Sequence, residues 1–252
     1  MTTDARPRPE SADAGREDPD VETSSADYAR RFAGTVGEWF LDTQARATLS
    51  LLRRWPAASV LDVGGGHAQL TQPLIEAGHA VTVYGSRPIC AERLRPWLDA
   101  GRVSFVSGPL LETPFAERAF DVVLAFRLLP HVERWRDLAA ELARLARYAI
   151  VVDYPSRRSV NAAADLLFGL KQRVERNTRP FRVFSDGEIE AAFAGAGFQG
   201  TARRPQFFFP MALHRALRLA PLSRGLETGS AALGLTRLLG SPVILRLERA
   251  TG

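Results

Sequence analysis

Short apolar segments alternate with helix-like segments through the middle of this chain, and this alternation limits the fold more than any other feature. The strand-like segments cover residues 59–63, 80–84, 102–106, 120–126 and 148–154. Helical patterns lie between most of them. Such alternation predicts an α/β fold in which helices cover both faces of a parallel sheet. The nearly continuous apolar character of the strands suits burial on both sides.

The pattern changes near both ends of the chain. Residues 1–26 are rich in proline, acidic residues, serine and arginine, with almost no large apolar side chain. We predict a disordered tail there, because such a segment cannot offset its ordering entropy. Residues 27–252 are predicted to form a single domain. Two insertions into this domain, at about 157–184 and 211–239, are predicted to be helical lids or caps.

Bulk composition is that of an ordinary globular protein, with 46% hydrophobic residues. No apolar run approaches the ~18–20 residues of a membrane span, the first residues lack a secretory apolar region, and Cys90 is the only cysteine. We therefore expect a cytoplasmic protein. The net charge of +5 comes almost entirely from arginine. This charge could serve to bind an anionic partner, or the arginines could simply be exposed to solvent. Because the sequence has no dense basic block, we favour the second interpretation.

A glycine cluster follows the first strand, in the sequence VLDVGGGHAQL over residues 60–70. Glycine lets the backbone turn sharply and approach a ligand closely, and ligands of such sheets bind beyond the carboxyl ends of the strands. A dinucleotide site is excluded because Gln69 replaces the third glycine of its motif, and no lysine completes a P-loop. The alternative is a tight turn that binds nothing.

The segment resembles motif I of the class I methyltransferases that use S-adenosylmethionine (SAM). Residues 119–132, 141–156 and 242–249 resemble later motifs of the broad family that includes the ubiquinone and menaquinone biosynthesis methyltransferases. The resemblance extends over residues 28–249. It implies a Rossmann-like, seven-stranded, mostly parallel sheet of order 3-2-1-4-5-7-6, methyltransferase activity, and SAM as cofactor.

The resemblance also implies where SAM is held. The implied cofactor-binding residues follow the first, second and fourth strands: Asp62, Gly64, Gly65, Gly66, His67, Gly85, Ser86, Phe126 and Arg127. Two acids usual in the family are missing, because Gly85 or Ser86 stands at the end of the second strand and Pro109 follows the third. A neutral hydrogen bond in place of a charged one predicts about tenfold weaker cofactor binding.

Candidate catalytic and substrate-binding residues follow the fourth and fifth strands. His131 is the first candidate base, since an ordinary histidine pKa of ~6.5 suits proton removal, and Asp153 is the second. Both also suit structural capping roles. Tyr154, Arg179 and Phe181 are predicted to contact the acceptor. No group of residues has metal-ligand spacing, so we expect no metal.

The leading hypothesis is O-methylation of a small hydrophobic or aromatic acceptor. Two alternatives remain open: an RNA methyltransferase, for which no appended RNA-binding motif is visible, and a non-catalytic binding or scaffold protein with this fold. The leucines and arginines of residues 211–239 suit a cap on the core and also peripheral contact with a membrane. The sequence does not determine the oligomeric state.

Overall fold

A seven-stranded sheet forms the centre of the computed structural model, which describes residues 17–160 and 181–250. The strand order is β3-β2-β1-β4-β5-β7-β6. Strands β1 to β5 run parallel, and β7 is antiparallel to both β5 and β6. The predicted fold class and strand order are thus confirmed. The strands are β1 (Ser59–Val63), β2 (Ala80–Gly85), β3 (Val103–Ser107), β4 (Phe120–Ala125), β5 (Ala146–Tyr154), β6 (Phe198–Phe207) and β7 (Ser241–Arg249).

Helices surround this sheet. Those in the described part of the chain are α1 (Asp20–Thr23), α2 (Ala26–Arg30), α3 (Gly34–Leu52), α4 (Thr71–Glu76), α5 (Arg95–Asp99), α6 (Trp135–Leu145), α7 (Asp186–Ala194), α8 (Met211–Leu217), α9 (Ala220–Ala232) and α10 (Leu235–Leu239). A 3₁₀ turn follows each of β1, β2 and β4, at Gly65–His67, Pro88–Leu94 and Leu129–His131.

Two apolar cores cover the two faces of the sheet. On one face, α6 and α7 pack buried side chains such as Leu138 and Phe193 against the strands. On the other face, Leu51 of α3 and Leu74 of α4 do the same. Burying each such side chain contributes about 1.5–3 kcal/mol to the stability of the folded state. The two cores therefore hold the strands, and with them the strand tips, in fixed positions.

The region after β2 does not form one continuous helix. The chain forms a 3₁₀ turn and then the short α5. Pro96 is the physical reason, because proline has no backbone N–H and is tolerated only in the first turn of a helix. A new helix therefore begins next to it.

The prediction of a disordered tail through residue 26 is wrong for its last ten residues. Helix α1 and the start of α2 lie within this segment, and the side chain of Asp20 is fully buried. We call residues 17–24 the N-terminal strap. Composition alone misled the prediction, since the strap is held by polar contacts to loops far away in sequence.

The segment 211–239 is helical, as α8, α9 and α10. Its anchor is Glu227 of α9, which accepts hydrogen bonds from the backbone N–H groups of Phe208 and Phe209 at 2.8 and 2.9 Å. The Nε2 atom of the buried His214 lies 2.9 Å from the same carboxylate. None of the described helices is long and apolar enough to cross a membrane. Residues 161–180 of the other predicted insertion, with Arg179, lie outside the described residues.

Candidate functional site

The glycine loop turns sharply at the carboxyl end of β1. Gly64 has a φ of 74°, in the left-handed region that favours glycine, and its N–H donates to the Tyr84 carbonyl at 2.8 Å. A Cβ atom on Gly65 would overlap the Asp62 carboxylate. One on Gly66 would overlap the Ser24 side chain and the backbone carbonyl of Cys90. The loop is therefore bare because other groups approach its backbone closely.

An enclosed cavity of about 10 Å³ lies beside this loop. Its walls bring together the tip of β1, the glycine loop, the residues after β4 and the strap. They are formed by Thr23, Asp62, Gly64, Gly65, His67, Gln69, Phe126 and Arg127. Six of these are predicted cofactor-binding residues. A larger, open depression runs along the 3₁₀ turn after β2 and along α5, and none of the predicted cofactor-binding residues lines it.

Several buried polar atoms around this cavity have no hydrogen-bond partner within the described residues. They include Asp62 Oδ1, both ring nitrogens of His67, Gln69 Oε1 and Arg127 Nη1. A buried polar group without a partner costs about 1–3 kcal/mol, and such groups rarely collect in one place without a reason. Their convergence indicates a site built for a polar ligand.

A hydrogen-bonded network fixes the loop after β4. The Asp153 carboxylate accepts from the Arg127 backbone N–H at 2.5 Å and from Gln44 Nε2 at 3.1 Å. Gln44 Oε1 in turn accepts from Arg127 Nη2 at 3.1 Å. Arg127 has a φ of 55°, a conformation that arginine adopts only when its surroundings enforce it. Asp153 therefore determines the position of Arg127.

Burial shifts the ionisation of the acids and the histidine at the site. It raises the pKa of Asp62 to about 7, with a further contribution from the charge of Asp153. It raises the pKa of Asp153 to about 6, against the opposing effect of Arg127 and Gln44. Burial, followed by the charges of Arg127 and Arg93, lowers the pKa of His67 to about 3. A cation in the cavity would favour the ionised form of both carboxyl groups and so lower their pKa values.

Aromatic rings from α2 and the residues after it close one side of the site. The His67 ring meets the rings of Tyr28 and Phe32 edge-on, with centroids 5.5 Å apart in each pair. The Arg127 guanidinium lies 4.1 Å from the Phe32 ring centroid. His67 is buried in this wall, and its lowered pKa favours the neutral ring.

The tip of β2 explains the missing family acid. A side chain at Gly85 would collide with the Cys90 side chain and the Phe105 ring, so packing excludes an acid there. Instead, the Ser86 backbone N–H donates to Asp20 Oδ2 of the strap at 2.7 Å. Asp20 thus brings a carboxylate to the strand tip from a distant part of the sequence.

The remaining predicted residues divide between two places. His131, in the 3₁₀ turn after β4, packs against the tilted ring of Phe181 with ring centroids 5.6 Å apart, and neither residue lines the cavity. Tyr154 is fully buried and its hydroxyl donates to Asp186 Oδ1 at 2.7 Å. The interpretation of Tyr154 as an acceptor-binding residue is therefore wrong, because its side chain belongs to the core on the far side of β5.

Sequence reasoning missed Asp20, Thr23, Gln44 and Gln69. Gln44 had a readable signal, because it stands on the buried stripe of α3 between apolar residues, where a polar side chain requires a partner. Gln69 lies inside the glycine segment itself. The two strap residues carry no local signal, since only tertiary contacts bury them.

The segment that contains the glycine loop is similar in sequence to a known protein family. The sequence model of a family described as a methyltransferase domain matches residues 60–148, which run from within β1 to the start of β5 and contain the glycine loop. The match covers about a third of the chain. Together with the fold, it indicates a class I methyltransferase, an enzyme whose cofactor is SAM. No protein of curated function matches the sequence significantly.

Solved structures with the same fold cover most of the chain. Magnesium protoporphyrin IX methyltransferase from Synechocystis PCC 6803, with bound S-adenosylhomocysteine (SAH), superposes with a TM-score of 0.62 at 13% identity over 88% of this chain and 93% of its own. Burkholderia thailandensis 1,6-didemethyltoxoflavin-N1-methyltransferase gives 0.55 at 18% identity over 83% and 79%. A Haloferax volcanii protein in complex with the Trm112 methyltransferase activator gives 0.62 at 16% identity over 93% and 99%.

The donor and acceptor set of the cavity fits an S-adenosyl ligand in its chemistry. The ligand has a positive charge for the Asp62 carboxyl group, which lines the cavity, and hydroxyls and ring nitrogens for the unpartnered atoms around the glycine loop. The cavity is too small for this ligand in the structure, because ligand pockets typically measure about 300–1,000 Å³ and the cavity measures about 10 Å³.

Proposed function

We propose that this methyltransferase transfers the methyl group of SAM to a hydroxyl of a small, hydrophobic or aromatic acceptor. The observation that carries the proposal is the set of buried, unpartnered polar atoms around the glycine loop at the carboxyl ends of β1 and β4. SAM supplies an activated methyl group on a sulfonium ion. The protein contributes alignment of donor and acceptor, which can account for several kcal/mol of the barrier.

In this proposal the cofactor is held by the residues predicted for it after β1 and β4. The backbone of the glycine loop admits close approach, and the Asp62 and Asp153 carboxyl groups supply negative charge near a cationic ligand. Asp153 acts as a positioning residue rather than as the base, because one of its oxygens accepts from the Arg127 N–H and the other accepts from Gln44, which in turn holds the Arg127 side chain.

Affinity for SAM is expected to rise about tenfold between pH 6 and pH 8. With a pKa of about 7, Asp62 is about 10% ionised at pH 6 and about 90% ionised at pH 8, and the cation binds the ionised form. Titration calorimetry across this range measures the change. In Asp62→Asn, the contribution of this carboxyl to the pH dependence should vanish, and an unchanged slope in that variant would contradict the role of Asp62.

The same group has the opposite effect on the stability of the free protein. Its pKa in the folded state lies above the reference value of 3.8, so the folded state binds the proton more tightly than the unfolded state does. The free energy of unfolding therefore falls through this group as the pH rises from about 4 to about 7.

The acceptor site is proposed to lie at the turn after β4. His131 would accept the proton of the acceptor hydroxyl on a ring nitrogen. Phe181, which is 61% exposed and packs against His131, would contact an aromatic acceptor. The backbone N–H of Arg182 donates to the Pro130 carbonyl at 3.0 Å, which ties the described end of the predicted lid to this turn.

The α8–α10 cap is the basis for including peripheral membrane contact in the proposal. Its large, exposed apolar side chains are Leu213, Leu219, Leu222, Leu233 and Leu238. Four arginines lie among them, whereas its one acidic residue, Glu227, is buried in hydrogen bonds. Such a surface suits anionic lipid headgroups, and it would bring the enzyme to a lipophilic acceptor.

The experiment that tests the function combines binding and methyl transfer. SAH binding is measured by calorimetry, and labelled SAM is then offered with phenols and catechols in solution and with a lipophilic quinol in anionic vesicles. We expect SAH binding and label transfer to oxygen, with faster transfer to the quinol in anionic than in zwitterionic vesicles. Equal rates in the two lipids would reject the membrane contact alone.

Other outcomes would favour the alternatives. Label transfer to RNA, with salt-sensitive RNA binding, would favour an RNA methyltransferase. Absence of SAH binding at millimolar concentration would favour a non-catalytic binding or scaffold protein. Transfer to nitrogen or carbon acceptors alone would overturn the assignment of oxygen.

A further inference from the structure

The N-terminal strap lies across the edge of the sheet where ligands of this fold class bind. Asp20 contacts the tip of β2 through the Ser86 N–H, and Ser24 contacts the glycine loop after β1 at Gly66. Glu17 Oε1 accepts from the Arg134 N–H, after β4, at 2.9 Å. One short segment thus spans the residues that follow three neighbouring strands.

The strap fills the space that a cofactor would need. Asp20 is fully buried, and Thr23 and Ser24 are each only 6% exposed. The cavity that remains beside Thr23 holds about 10 Å³, which is no more than the ~10–15 Å³ required by one water molecule. A nucleoside cannot enter this space while the strap is seated.

The contacts of the strap are of a kind that a ligand could replace. Asp20 Oδ2 occupies a backbone donor at the strand tip, at 2.7 Å from Ser86 N, whereas Asp20 Oδ1 is buried without a partner in the described residues. Asp18 pairs with Arg87 at 3.3 Å, and both side chains are partly exposed, so this ion pair contributes little. The side chains that the strap buries here are polar, so releasing them forfeits little hydrophobic stabilisation.

We propose that residues 17–24 close the cofactor site in the free protein and are displaced when an S-adenosyl ligand binds. The strap then competes with the ligand for the same site. The apparent association constant equals the intrinsic association constant multiplied by the fraction of protein in which the strap is open. The inference rests on the proposed function, because the ligand that displaces the strap is the cofactor assigned there.

A reversible cross-link tests this competition. Cys90 is the only cysteine of the chain, and its Sγ lies 3.5 Å from Asp20 Oδ2. Asp20→Cys should therefore form a disulfide with Cys90 on oxidation and hold the strap closed. By calorimetry with SAH, we expect the oxidised protein to bind at least about 100-fold more weakly than the same protein after reduction, a difference of about 2.7 kcal/mol.

A second variant releases the strap without a cross-link. In Asp20→Ala the Ser86 N–H loses its acceptor, and we expect SAH to bind about tenfold more tightly, which corresponds to about 1.4 kcal/mol. Hydrogen exchange should show faster exchange at residues 17–24 and at Ser86 in this variant, and in wild type after SAH is added. Asp27→Asn is the matched control, since Asp27 is exposed and pairs only with Arg30 among the described residues; its affinity should equal that of wild type.

Each contrary result has a distinct meaning. Weaker SAH binding in Asp20→Ala would overturn the proposal and make Asp20 a cofactor contact. Equal affinity in the oxidised and reduced Asp20→Cys protein, or failure of the cross-link to form, would overturn the proposal while leaving the function intact. Absence of SAH binding in every variant, with exchange showing the strap released, would reject the closure and the proposed function together.

Discussion

Gly66→Val is expected to weaken SAH binding at least about 100-fold, or about 2.7 kcal/mol. A Cβ atom at this position overlaps the Ser24 side chain and the backbone carbonyl of Cys90. The strap can move away from the new side chain, but the Cys90 carbonyl is held in the 3₁₀ turn after β2. The valine must therefore point into the space that the strap vacates for the ligand. Calorimetry with SAH measures the loss.

The control separates this steric effect from a general loss of folding. Gly195→Val makes the same substitution at a position where φ is negative and an added Cβ lies within 4 Å of no other group in the described part of the chain, so its SAH affinity should match wild type. Overpacking at Gly66 is expected to cost about 1–3 kcal/mol of stability, which thermal unfolding would detect. Wild-type SAH affinity in a folded Gly66→Val protein would show that the cofactor site lies elsewhere.

His131→Ala is expected to lower kcat for a hydroxyl acceptor about 100-fold or more, as removal of a general base does. The affinity for SAH should stay close to that of wild type, because His131 does not line the cavity at the glycine loop. The increase of kcat with pH that depends on a base at this position should also disappear from the pH profile of the variant. These are measured with the acceptor that the transfer assay identifies.

His79→Asn provides the matched control for His131→Ala. His79 precedes β2, at the amino end of the strand, so it lies at the edge of the sheet opposite the proposed site. Its substitution should leave kcat and the pH profile unchanged. If His131→Ala retains both kcat and the pH profile of wild type, His131 has a structural role and another group removes the proton.

The alternation of strands and helices was readable because each strand is a separate apolar segment with its own boundaries. Strand β1 was predicted with its observed bounds, Ser59–Val63, and the glycine loop was placed correctly after it. The strand order came from the resemblance to a known family, since apolar pattern alone does not say which strands are neighbours. The bare backbone at Gly66 followed from its residue type.

The two adjacent residues at the end of β5 illustrate an error that strand geometry corrects. Asp153 and Tyr154 were both predicted to face the site, yet successive side chains of a strand point to opposite faces of the sheet. Asp153 therefore meets Arg127, whereas Tyr154 enters the core on the other face of the sheet and its hydroxyl donates to Asp186.

The sequence by itself determined the sheet, the glycine loop and the chemical types available at the strand tips, because these depend on local patterns of apolar and small residues. Only the tertiary structure decided which polar groups meet. It brought Gln44 to Asp153, and it seated Asp20 on Ser86, 66 residues away along the chain. The physical reason is that a polar side chain gains a partner only where folding buries both groups together, and no local pattern encodes that encounter.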